Sequence, residues 1–282
     1  MSWDRFHYLC RTCSQRNTAE TDFSDVLSTA EAQKSIELYG EQIIKKSVSD
    51  EILSALKQSK DTALIDKSML VYAHVNFAKS IDEPAKFKRV VVYLWFLAAV
   101  YIYMSSIHAL FVMPGFLSMF ENTDVAVPSL FMWYVNYSSY LTGIIVVALL
   151  LILFISYQLR AISGYKLPGL SGVYYRWLMP AGIKKSFSSI IEIITYPVMD
   201  LIEDKYQKAG VISAHLADAE KSGLNLAVEI ESLLRVEAFV LNKKIERFMI
   251  AMMSVVSVII VGSIVLFLMS AYSPLFIMGE GL

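Results

Sequence analysis

Hydrophobic residues gather along this chain in three long runs, separated by polar stretches in which apolar residues return at every third or fourth position. The runs fall within residues 90–113, 137–160 and 248–272. At a rise of about 1.5 Å per residue, a helix over each is long enough to cross a hydrocarbon core about 30 Å thick. The polar blocks, 1–89 and 161–247, lack the strict alternation of half-buried strands, and their period predicts short helices packed as small bundles. A short loop, 114–136, and a short tail, 273–282, complete the chain. In the second block Ile230, Leu234, Leu241, Ile245 and Phe248 trace one stripe that leads into the third run, so one helix is expected to pass from the polar block into the membrane. The expected fold is an all-α membrane protein: three transmembrane helices with two cytoplasmic helical-bundle blocks arranged as a degenerate repeat.

Local signals add detail. Ser49 followed by Asp50 and Glu51 predicts a helix start, with acids where the helix dipole favours them. Ser222-Gly223 and Leu167-Pro168-Gly169 predict turns. A shift of 160 residues pairs Ile52 with Ile212, Leu56 with Leu216, Leu64 with Leu224, Pro114 with Pro274 and Phe116 with Phe276. That constant offset reads as two copies of a helical block followed by a span, the second span being inserted after copy one. Chance likeness between two apolar helical stretches is the competing explanation.

Composition agrees: 56% of residues are hydrophobic and the mean hydropathy is +0.50, above the range of ordinary soluble domains. The net charge of −1 excludes a general nucleic-acid binder, which needs a basic face. The placement of charge says more. Lys79, Lys86, Lys88 and Arg89 precede the first run, Arg160, Lys166 and Arg176 follow the second, and Lys243, Lys244 and Arg247 precede the third. The segment after the first run carries Glu121 and Asp124 without a Lys or Arg, and the tail carries Glu280. The positive-inside rule therefore places the N-terminus and both polar blocks in the cytoplasm, and the 114–136 loop and C-terminus outside. The opening MSWDRFHYLC has no apolar stretch after its early charges and is not expected to be a secretory leader. The two cysteines, Cys10 and Cys13, fall on the reducing side, where a structural disulfide is not expected.

Several segments carry a family resemblance. FVMPGFLSMFE, residues 111–121, follows the first run, and the chain closes with SPLFIMGEGL. This pairing resembles the inner-membrane platform proteins of type IV pilus assembly and type II secretion, the GspF/PilC family. KLPGLSGVYYRWLMPAGIKKSFSSIIEII, residues 166–194, looks like the opening of that family's second cytoplasmic domain. AEKSGLNLAVEIESL, residues 219–233, resembles its acidic turn, with SKDTALIDKSML, residues 59–70, as the copy-one counterpart. The chain departs from the pattern in having Ala63 where copy two has Gly223, and Lys221 in place of the second acid of the turn. The resemblance implies a bacterial inner-membrane protein that works with a cytoplasmic assembly or secretion ATPase, pilin or pseudopilin subunits and other inner-membrane assembly components. It also implies a homo-oligomer.

Other candidates have plainer readings. His7, Cys10 and Cys13 share one helix face, but zinc needs a fourth ligand, and small buried thiols explain them. His108 is the ionisable residue within the first run; near its outer end, an interfacial or helix-bonding role is expected over a proton path. Ser254, Ser257, Gly262 and Ser263 would allow close approach of a helix, within the chain or from another copy. Trp133, Tyr134, Tyr137 and Tyr140 read as an interfacial aromatic belt. Asp200, Glu203, Asp204, Asp218 and Glu220 give the second block an acidic side, opened by basic Lys184 and Lys185, which reads as a solvated face or a partner surface. The sequence has no P-loop, nucleophile triad or paired catalytic carboxylates, so no enzymatic activity is expected, and no catalytic, cofactor-binding or metal-ligating residue is assigned. A small repeat-built membrane transporter or channel is the alternative function; it would need polar residues along a path, and the runs offer few.

Overall fold

A computed structural model describes residues 2–15, 23–40, 42–43, 45, 47–77, 87–123, 129–163, 179–202 and 210–280. Lys79, Lys86, Asp124, Lys166, the Leu167-Pro168-Gly169 turn, Arg176, Glu203 and Asp204 lie outside the described residues, as does the 166–178 part of the 166–194 stretch of the resemblance. The described residues are helical and contain no strand. They form α1 (Ser2–Ser14), α2 (Phe23–Glu31), a 3₁₀ turn (Lys34–Tyr39), α3 (Val48–Gln58), α4 (Thr62–His74) and α5 (Phe87–Ile107). A π-helical segment (His108–Val112) leads into α6 (Met113–Thr123). Then come α7 (Ser129–Ser163), α8 (Ala181–Thr195), a 3₁₀ turn (Tyr196–Val198), α9 (Val211–Lys221) and α10 (Leu226–Glu280).

The chain divides into two compact units: residues 1–84 with 159–245, and residues 85–158 with 246–282. The two polar blocks, expected as separate bundles, thus fold together in the first unit. Side-chain chemistry explains why. The apolar face of α1 (Trp3, Phe6, Leu9, Cys10) is buried with Ile65, Met69 and Tyr72 of α4, and Phe6 meets Tyr72 edge-on at 5.4 Å. Trp3 stacks on Phe77 at 5.1 Å. From that core the Tyr72 hydroxyl donates to the carbonyl of Ile194 at 2.8 Å, and Ser68 Oγ donates to the carbonyl of Pro197 at 2.6 Å. Helix geometry leaves the last carbonyls of α8 without intrahelical donors. The first block supplies those donors to the second.

Within the second block α8 buries Ile183, Phe187, Ile190, Ile191 and Ile194, one face at helical spacing. Lys244 of α10 donates to Ser186 Oγ at 2.7 Å and to the carbonyl of Gly182 at 3.2 Å. The start of α9 is capped in trans: the Ser213 N–H donates to Glu192 Oε1 at 3.0 Å, placing a carboxylate at the positive end of the helix. Its end is a Schellman turn. Gly223 sits at φ 73°, Leu224 N–H reaches back to the carbonyl of Ala219 at 3.0 Å, and Gly223 N–H to that of Glu220 at 3.1 Å. The turn expected at Ser222-Gly223 is therefore present, and Asn225 Oδ1 accepts from Ala227 N–H to open α10.

Two expectations change. The cap of α3 is Ser47, whose Oγ accepts from Asp50 N–H at 3.3 Å; Ser49 is buried in the first turn and bonds Ser47 at 3.0 Å. The Ser-x-x-acid register starting at Ser47 satisfies a backbone donor that Ser49 does not reach. Under the 160-residue shift α3 overlaps α9 from Val211 onward, while Ala63 of α4 falls on Gly223 of the turn before α10, and the repeat itself is not shown. Residues 114–136 are helical over α6 and from Ser129 onward. Pro114 does not stop the first membrane helix because the preceding turn widens: Met113 N–H donates to the carbonyl of His108, five residues back, which relieves the clash a proline ring makes with an α-helical turn.

The second unit holds the membrane-length apolar helices. Three helices are long and apolar enough to cross a membrane, over Val91–Asn122, Phe131–Ser156 and, within α10, Leu226–Met269, whose part from Glu246 onward lies in this unit. The protein is membrane-embedded on this ground. Leu94, Ala98 and Tyr101 pack with Ile145, Leu149, Leu153 and Val256 to form the interior of the unit, and Tyr101 Oη bonds Ser263 Oγ at 3.2 Å. Trp95, Phe96, Tyr103, Phe111, Ile144 and Val258 face outward, as lipid-facing residues do where the solvent is as apolar as the side chains.

In α10, Ile230, Leu234, Leu241 and Ile245 are buried in the first unit, and Met249 and Val256 are buried in the second. Phe248 is half-buried, and Met249, four residues on from Ile245, takes its expected place.

Candidate functional site

The first unit carries a cavity of about 300 Å³ between α4, the Tyr196–Val198 turn and the α9–α10 junction. Two sequence-distant segments build it. From α4 come Leu64, Lys67, Ser68 and Val71, and from the second block Tyr196, Pro197, Met199, Asp200, Glu220 and Leu226. Leu64, Lys67, Ser68, Glu220 and Leu226 belong to the two stretches that carried the resemblance to the acidic turn. They meet because the Ser68 and Tyr72 hydrogen bonds fix α4 against the end of α8 and the turn beyond it.

Glu220 is the centre of its charge. Lys67 Nζ donates to Glu220 Oε1 in an ion pair, and the Tyr196 hydroxyl donates to Oε2 at 3.2 Å. The Lys67 hydrogen bond, opposed by partial burial, holds the Glu220 carboxyl below the usual carboxylate range. Burial first, and then the charge of Glu220, push the Tyr196 phenol up to about 12. Tyr196 is therefore a fixed donor at any physiological pH. Asp200, exposed at the rim, adds a second carboxylate and has no hydrogen-bond or ion-pair partner among the described residues. Lys67 is 61% exposed along its side chain, so its ion pair is worth under about 1 kcal/mol and is readily exchanged.

The arrangement offers a fixed hydrogen-bonded carboxylate, an exchangeable lysine, an open carboxylate and apolar walls, a combination suited to recognising a side chain. Asp200 and Glu220 belong to the acidic side read from the sequence, and both reach the cavity. Lys67 was not singled out there. Its 153-residue separation from Glu220 hides the pair from any local pattern.

The other candidates lie elsewhere. His7 Nε2 bonds the carbonyl of Ala73 at 3.0 Å, and burial lowers its pKa. Cys10 and Cys13 are buried on the core face of α1, and burial pushes the Cys10 thiol well up, the opposite of what a thiolate ligand requires. No group of three His, Cys, Asp or Glu side chains able to hold a metal occurs among the described residues. His108 begins the π-helical segment and packs edge-on against Phe267 at 4.0 Å and near Tyr134 at 5.6 Å, with neither ring nitrogen hydrogen-bonded among the described residues. Tyr134 is thereby turned inward, whereas Trp133, Tyr137 and Tyr140 remain exposed. Of the small residues on α10, Ser263 meets Tyr101, Ser254 bonds back to Ile250, and Gly262 faces open space.

Comparison with protein-family models, curated proteins and solved structures finds no match to this chain.

Proposed function

We propose that this protein is a non-enzymatic inner-membrane platform of a type IV pilus or type II secretion machine, coupling a cytoplasmic assembly ATPase to extraction and polymerisation of pilin subunits. Helix α10 carries the proposal: it begins in the core of a polar helical unit and continues as a membrane-length apolar helix. An α-helix without an internal proline or π-segment over Ile230–Ile245 transmits rotation or tilt along its axis, which a motor acting on the polar unit would exploit. The likeness of residues 111–121 and 219–233 to the platform family supports the same reading, as does the distribution of basic residues, which favours a cytoplasmic polar unit.

Two experiments test it. A hexameric ATPase and pilin-like proteins are expected to co-purify with the tagged full-length chain; solute flux in proteoliposomes without either partner would favour a transporter instead. Insertion of Gly-Gly after Lys243 is expected to abolish pilus or secretion output at normal protein level, and unchanged output would refute the rigid link.

A further inference from the structure

We propose that the cavity between α4, the Tyr196–Val198 turn and the α9–α10 junction receives an arginine side chain presented by a partner protein. The volume of about 300 Å³ lies at the lower edge of small-molecule sites and suits one long side chain better than a cofactor. Its walls are chemically divided. Leu64, Val71, Pro197 and Leu226 are apolar, while Asp200 and Glu220 bring carboxylates to the same space. A side chain with an apolar stem and a cationic head matches that division.

Charge decides the sign of the occupant. Against two carboxylates the lining supplies one cation, Lys67, and it is bound to Glu220, so the carboxylate of Asp200 remains unneutralised among the described residues. Lys67 already marks where a cationic head sits, and its exposed stem leaves it free to swing out. Arginine fits better than lysine because its planar fork donates to two acceptors at once, here Asp200 and Glu220. Tyr196, held protonated, keeps Glu220 oriented during the exchange. The ligand class is thus a basic segment of a partner whose arginine enters the cavity. The proposal rests on the reading of this unit as a docking surface and gives that surface its specificity.

Methionine-methyl NMR of the full-length protein in detergent micelles tests it, because Met199 lines the cavity whereas Met179 is buried away from its lining. The probe is N-acetyl-arginine amide, with N-acetyl-glutamine amide as the neutral control. A saturable shift of the Met199 methyl is expected with the arginine probe and none with glutamine, while Met179 stays fixed and reports an intact fold. Asp200→Asn is expected to weaken the probe roughly threefold, and Lys67→Ala, which frees Glu220, to tighten it by a similar factor. A Met199 signal that does not move, or moves equally with both probes, overturns the proposal. An arginine-dependent shift with no ATPase co-purifying keeps the cavity assignment and removes the platform reading. ATPase binding that is indifferent to both Asp200→Asn and Glu220→Gln overturns the cavity's role and leaves the platform reading standing.

Discussion

Replacing Tyr72 by Phe removes one oxygen from the centre of the polar unit. The ring would stay packed against Phe6 at 5.4 Å and Phe77 at 6.1 Å, so the change isolates the hydroxyl. That hydroxyl is fully buried and donates at 2.8 Å to the Ile194 carbonyl, which sits in the last turn of α8 where no intrahelical donor is available. Losing a net hydrogen bond costs about 0.5–1.5 kcal/mol, and stranding a buried acceptor raises the total to roughly 2 kcal/mol. Tyr8→Phe is the control: its hydroxyl bonds Gln33 Oε1 at 3.1 Å and Ser35 near the surface, so roughly 0.5 kcal/mol or less is expected. Denaturant unfolding of the detergent-solubilised chain measures both. Hydrogen exchange should show the Tyr72→Phe loss in α4 and in α8 together, since one bond joins them. Equal stability of the two variants would refute the argument that α4 caps the second block.

Other consequences are local. Gly223→Ala forces a Cβ into left-handed backbone at φ 73° and should destabilise by about 1 kcal/mol in the same unfolding assay; no loss would mean the Schellman turn is not formed. His7 has a lowered pKa through burial, so its contribution is present above its ordinary value of 6.5 and is lost as pH falls through the lower folded value. Melting temperature should therefore drop on acidification below 6.5, and His7→Asn should flatten that slope; an unchanged slope would show that His7 is solvated. Tyr72 and Tyr196 act in the opposite direction: burial raises both phenols, so their contribution holds at neutral pH and is lost as pH rises from about 10 through the folded values.

The sequence made the membrane helices and the continuity of α10 legible, because uncharged runs and a 3.6-residue stripe are local signals with a single physical meaning. Gly223 was legible for the same reason: a glycine after a helical pattern is where left-handed backbone is tolerated. The helicity of residues 114–123 was hidden, because the π-helical turn that accommodates Pro114 depends on the spacing of carbonyls and leaves no mark in composition. Ser47 and Ser49 are equivalent caps by residue type, and backbone geometry chose between them. The joining of two polar blocks was hidden, since it depends on Tyr72 and Ser68 reaching carbonyls 122 and 129 residues away. For the cavity, the acids were visible as a charged face. The lysine, the tyrosine and the concavity that give those acids a use come from α4 and the Tyr196 turn meeting in space.

That meeting also fixes a topological parity. If α4 and α8 share a core, the blocks that carry them lie on one side of the membrane, and the chain between them crosses it an even number of times. Single cysteines at Glu37 in the first block and Ser188 in the second, both exposed positions, test this directly in intact and permeabilised cells with a membrane-impermeant maleimide. Cys10 and Cys13 are buried and can remain. Both sites are expected to label only after the cytoplasmic side is opened; labelling of the two from opposite faces would contradict the account.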